Sequence, residues 1–234
     1  MGPPASPIEI DKDGDLCLLL FEKERASDTK DDDTPDTING KTRAPISLVV
    51  SSKVLCLASP VFKVMLTGNF REAREFRNAT KQGQSERYVI ELPEDDATAT
   101  TTLMNLLHLN FGDVREDVTA SQMEQLAYLC DKYQCAHVLK YCGKAWISTW
   151  KDRWKEEPVG VGMRATDICR MLVFAYVADL PSEFNALAWG LALTHRGPIL
   201  GPEGAGRRVL LDHPLSHQNV ARTSSAPLFH HPSS

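Results

Sequence analysis

The run VVSSKVLCLASPVFKVMLTGNFREA, residues 49–73, narrows the folds open to this chain more than any other stretch. It specifies short helices in succession, each with a marked end. Ser59 stands just before an apolar spacing, and Pro60 follows it at the first helical position. A serine hydroxyl there accepts a bond from an unpaired first-turn amide, and proline loses no useful donor. Val61, Phe62, Met65 and Leu66 repeat at i, i+1, i+4 and i+5, which is one face of a helix. Gly68 stands where a left-handed stop is expected, and Asn69 with Glu72 three residues on reads as a capping box opening a further helix. Val54, Leu55, Leu57 and Ala58 make the apolar side of the helix before Ser59. Nothing in the segment is arranged for chemistry.

The flanking sequence supplies a sheet on one side and helices on the other. DGDLCLLLFEKE at 13–24 reads as a strand entered from a glycine turn. Residues 22–43 are rich in Asp, Thr and Lys and nearly free of large apolar side chains, so they are expected to form a mobile acidic insert. Ile46, Leu48 and Val50 alternate as a second strand, RNATKQGQSER at 77–87 reads as turn, and YVIELPED at 88–95 is a third strand stopped by Pro93. The period then becomes helical. Asp96 or Thr98 can cap a helix carrying Leu103, Leu106, Leu107 and His108, and Ser121 one carrying Met123, Leu126, Ala127, Leu129 and Cys130. A third runs from about Ala136 to Trp150 with Val138, Leu139, Cys142, Ala145, Trp146 and Trp150 on its apolar side. A polar break at 151–162 precedes helices over 168–177 and 184–193, and from Gly197 periodicity fades apart from a brief VLL at 209–211. The expectation is an α+β domain with a small sheet, then a helical extension, without an internal repeat.

That order, with these residues, resembles the BTB (POZ) domain, especially the fungal-type proteins that carry one such domain near the N-terminus. The resemblance rests on GDLCLLL, VSSKVLCLASPVFKVMLTGNFREA, IELPEDD and LAYLCDKYQC, the last with Asp131, Lys132 and Tyr133 and with Cys130 in place of the usual Ala. It implies a helical cluster flanked by a short sheet over residues 9–142; the periodicity that follows gives a helical extension over 143–196, and the composition from Gly197 on a disordered tail over 197–234. It also implies protein partners: self-association through the domain, docking on a cullin ubiquitin-ligase scaffold as a substrate adaptor, or transcription regulation. Two departures bear on this. Ser51 and Ser52 stand where the family usually has a His and a basic residue, which weakens any charged pocket there. The 22–43 insert also lengthens the strand connection near which dimer contacts often form.

Phe70, Arg71 and Glu72 match the hydrophobic-x-Glu pattern that cullin-binding members carry after this helix pair. An exposed Phe70 would fill a partner's pocket while Glu72 makes a polar rim contact. The competing reading is that Phe70 is core and Glu72 caps its own helix.

Other function classes find little support. Cys130, Cys135, His137 and Cys142 suggest zinc, but their spacing straddles two amphipathic helices instead of pairing ligands closely, and free Cys is commonly buried. No cofactor is expected. A nucleophile needs a base beside it, and His108 lies on an apolar helical face; GPEGAG at 201–206 lacks the ending of a phosphate loop. Catalysis is therefore not expected. A net charge of −5 and WKDRWKEE at 150–157, whose acids nearly cancel its bases, argue against nucleic acid. Trp146, Trp150 and Trp154 there recur as a packing stripe. The N-terminus lacks an export signal, LCLLLF at 16–21 is too short to span a bilayer, and scattered cysteines suit an intracellular chain.

Overall fold

Leu16, Leu18 and Leu20 are fully buried while Cys17 and Leu19 between them are half-buried, the alternation of a strand with one face on a core. This strand, β2 (Leu16–Leu20), sits inside a four-stranded sheet with β1 (Ile8–Glu9), β3 (Ile46–Val50) and β4 (Tyr88–Leu92), in the order β1-β3-β2-β4. β2 runs antiparallel to β3, with Leu16 opposite Val50 and Leu20 opposite Ile46, and parallel to β4, with Leu16 opposite Tyr88 and Leu20 opposite Leu92. β1 pairs parallel with β3. The computed structural model describes residues 6–21, 45–81, 87–156 and 164–194. The 22–43 insert and the 197–234 tail lie outside these.

Between β3 and β4 come α1 (Ser52–Ala58), α2 (Pro60–Thr67) and α3 (Arg71–Lys81); after β4 come α4 (Ala97–Leu107), α5 (Ala120–Lys132), α6 (Leu139–Glu156), α7 (Ala165–Val177) and α8 (Pro181–Thr194). The fold is α+β and mostly helical. Gly14 turns the chain into β2, where an added Cβ would lie 2.7 Å from the Val50 carbonyl oxygen. Asp15 then accepts from the Ser52 amide at 2.8 Å and its hydroxyl at 2.6 Å, so a carboxylate from the neighbouring turn holds the start of α1.

Several local expectations are corrected. Gly68 ends α2 with φ −71° and ψ −157°, which is extended and not left-handed; glycine is needed because a Cβ would lie 2.4 Å from the Val64 carbonyl oxygen. The helix after it begins at Arg71 and continues through 77–81, where a turn was expected. Thr119, not Ser121, caps α5, in a reciprocal box with Gln122. Asp96 caps α4 by accepting from Ala99 at 2.8 Å. α6 runs on to Glu156 through part of the expected polar break, and Ile147 is buried on it where Ala145 is exposed. Trp146 is buried and Trp150 donates from Nε1 to the Val118 carbonyl at 2.7 Å; the Trp154 side chain lies outside the description.

The apolar core is continuous from the sheet to α8. Phe62 is its centre on the sheet side, stacked on Tyr133 with ring centroids 4.3 Å apart. Trp146 and Phe174 meet 6.0 Å apart on the side of the extension.

Candidate docking groove

The corner between α2 and α3 is built from the features that the sequence marks most clearly. Ser59 is fully buried; its hydroxyl accepts from the Phe62 amide at 3.1 Å and donates to the Tyr133 carbonyl at 2.6 Å, fixing α2 against the end of α5. The Tyr133 hydroxyl and the Lys132 ammonium both donate to Asp95, which is buried after β4. Burial and that carboxylate raise the Tyr133 phenol well above its usual range. The Asp131-Lys132-Tyr133 run thus ties α2, α5 and the β4–α4 turn into one block. At the other end of α2, the Arg77 guanidinium donates to the Thr67 and Gly68 carbonyls, both at 3.1 Å, and closes the corner.

Beside this block lies a groove of about 880 Å³ between α2, the start of α3 and β4. Pro60, Val61, Val64 and Met65 form one wall, and all five residues of β4 form the other. Phe70, Arg71 and Glu72 all line it, so the three candidate partner residues are brought together at one site. Phe70 is 59% exposed, which places it outside the core. Arg71 is exposed, with Nε 3.3 Å from Glu75 Oε1. Glu72 lies in the first turn of α3, where a carboxylate complements the helix dipole. The Tyr88 hydroxyl donates to Glu75 at 3.0 Å; burial first, then Glu75 and Glu72, push its phenol up to about 12.

The arrangement suits docking: apolar side chains on both walls, one exposed aromatic ring, and charged side chains at Arg71, Glu72, Glu75 and Glu91 among them. β4 and the α2 wall were not singled out from the sequence. Val64 was their available signal, since it falls off the i, i+1, i+4, i+5 face and is 52% exposed.

The other candidates separate. Cys130 and Cys135 are buried free thiols that share a hydrogen bond, burial raising the Cys130 thiol well up, while His137 is exposed; the described residues hold no group of three or more metal-ligating side chains. His108 is engaged in structure: Nε2 accepts from the Ser51 amide at 3.0 Å, and Nδ1 lies 2.8 Å from the Met104 carbonyl oxygen. No described helix is long and apolar enough to cross a membrane.

Comparison with curated proteins gives no match. Residues 46–149 match the BTB/POZ domain model, from β3 into α6, and placement among fungal-type members stays an expectation of the sequence alone. BTB/POZ domains are protein-interaction modules, generally without catalysis, and often dimerise. The matched span, the motifs it contains and the α+β architecture around it show that residues 46–149 of this chain carry a BTB/POZ domain.

Proposed function

We propose that this protein works by docking a protein partner in the groove between α2, α3 and β4, with Phe70 as the apolar anchor and Arg71 and Glu72 as rim contacts. The exposure of Phe70, at 59%, beside the apolar side chains of the groove carries this reading, because an apolar patch bordered by polar groups marks an interaction surface where a lone exposed ring would not. A second reading, a substrate adaptor on a cullin ubiquitin-ligase scaffold, is favoured by the placement of Phe70 and Glu72 together on that rim. Self-association through the domain and transcription regulation draw on the family resemblance and not on this groove.

Affinity purification with the intact chain and with Phe70→Ala tests both readings. The variant is expected to lose its partners, a cullin among them on the second reading, while losing under about 1.5 kcal/mol of stability, the scale of a partly buried apolar group. A Phe70→Ala protein that keeps every partner overturns both.

A further inference from the structure

β4 is the last strand of the sheet. Its pairing with β2 occupies one side, and among the described residues no strand pairs with the other. Such an edge presents unpaired amides and carbonyls to any extended chain of suitable chemistry. All of Tyr88 to Leu92 line the groove, so the groove follows the length of the strand. A strand of that length spans about 17 Å.

The charges decide which chain fits. Among the described residues, Glu72, Glu75 and Glu91 line the groove against a single cation, Arg71, and Arg71 is paired with Glu75. Among the described residues neither Glu72 nor Glu91 has an ion-pair partner. A second copy of this edge would bring two acidic grooves together, which disfavours self-pairing. An added strand places alternate side chains on opposite faces. One set, on the face of Tyr88, Ile90 and Leu92, would meet Val61, Val64 and Met65 with Glu72 beside them, and the other, on the face of Val89 and Glu91, would reach Glu91.

We propose that the groove takes an extended segment of a partner protein, alternating apolar with basic residues, which adds to the open edge of β4 as a further strand. This rests on the reading of the groove as a docking surface and specifies its occupant.

The test uses the full chain and fluorescein-labelled peptides, read by fluorescence anisotropy at low salt. The first peptide alternates valine with arginine, and the second has glutamate for arginine. Two more carry the arginine sequence N-methylated at alternate residues, in one phase or the other. The arginine peptide is expected to bind and the glutamate peptide not to. One N-methylated phase should weaken binding at least about tenfold while the other leaves it, since only one edge of the peptide faces β4. Glu91→Lys should weaken the arginine peptide by about the same factor with an unchanged thermal melt, and Val64→Asp provides a second variant on the opposite wall. Failure of the arginine peptide to bind overturns the proposal, as does binding indifferent to both N-methylation phases or to Glu91→Lys. If those failures come with loss of natural partners in Phe70→Ala, strand addition falls and the docking reading stands. If the peptide pattern holds while Phe70→Ala keeps its natural partners, the anchor reading falls instead.

Discussion

Phe62 and Phe70 belong to one segment and have opposite surroundings. Phe62 has no exposed surface and stacks on Tyr133 at an interplanar angle of 11°. Phe62→Ala should cost about 3–5 kcal/mol, the range for removing a buried ring, and urea denaturation would measure it. That is a large share of the roughly 5–15 kcal/mol that holds a domain folded. A loss below about 1 kcal/mol would mean that the site collapses around the gap. The contrast between the two rings was legible because Ser59, Pro60 and Gly68 mark where α2 begins and ends. His108 was legible only in part. Its apolar helical face can be read from sequence, but its bond to the Ser51 amide cannot, because β3 and α4 meet only in the folded chain. Burial, opposed by the Met104 carbonyl and Asp11, lowers its proton affinity below the ordinary 6.5. The unfolded chain then takes up a proton that the folded chain resists, so this contribution is complete above pH 6.5 and is lost as pH falls below it. Glu124 and Asp131, raised mainly by burial, act in the opposite direction and are common to any variant at His108. His108→Gln, whose side-chain carbonyl can still accept from Ser51, should therefore lose less stability than the native protein between pH 7 and 5.5. Equal losses by urea midpoint would contradict this assignment.

At the scale of elements, α5 and α7 are joined by a polar cluster set within an apolar interface. Glu124 and Asp167 are both buried, and Arg170 lies between them, with Nε 3.3 Å from Glu124 and Nη1 3.3 Å from Asp167. The Tyr128 hydroxyl donates to Glu124 at 3.3 Å. Arg170 Nε makes a close charge contact with Glu124 without an aligned hydrogen bond. Removing the cation leaves a buried carboxylate unpaired, so Arg170→Ala should destabilise by about 3 kcal/mol. The double change Glu124→Leu with Arg170→Met, which removes both charges, should recover most of that loss. Chemical denaturation of the singles and the double decides the point; a double variant no more stable than Arg170→Ala would show that packing, and not the stranded charge, sets the cost. The element order was legible wherever an apolar stripe or a capping residue announces a helix. It failed at 77–81, a polar stretch with no such stripe, because a helix already started at Arg71 adds a bond for each further residue. It failed at Gly68 because a close approach to Val64, and not a positive φ, calls for glycine. The groove was half legible for a related reason. Phe70 to Glu72 carry a local pattern, whereas β4 joins them only through the packing of α3.

Across the whole molecule, the strand order is what no local pattern contains. β4 follows three helices and inserts beside β2, not beside β3, so one of the two central strands, β2, lies outside the matched span of 46–149. The same topology bears on the insert at 22–43, which lies outside the described residues. Leu20 pairs with Ile46 in the antiparallel ladder, so the two ends that the insert connects are neighbours. A short turn could join them, and lengthening such a connection costs only slowly growing closure entropy. Residues 24–42 are charged and polar, with Ile38 the one large apolar side chain among them, so they offer little surface to the core. Deleting 24–42 leaves Phe21 to Lys23 and Arg43 to Pro45 to close a hairpin between β2 and β3. The deleted protein is expected to melt within a few degrees of the native one, a shift on the order of 1 kcal/mol for a molecule of this size. Its β2–β3 amides should remain equally protected in hydrogen exchange. Aggregation, or loss of protection in β2 and β3, would show instead that the insert covers apolar surface and belongs to the folded unit.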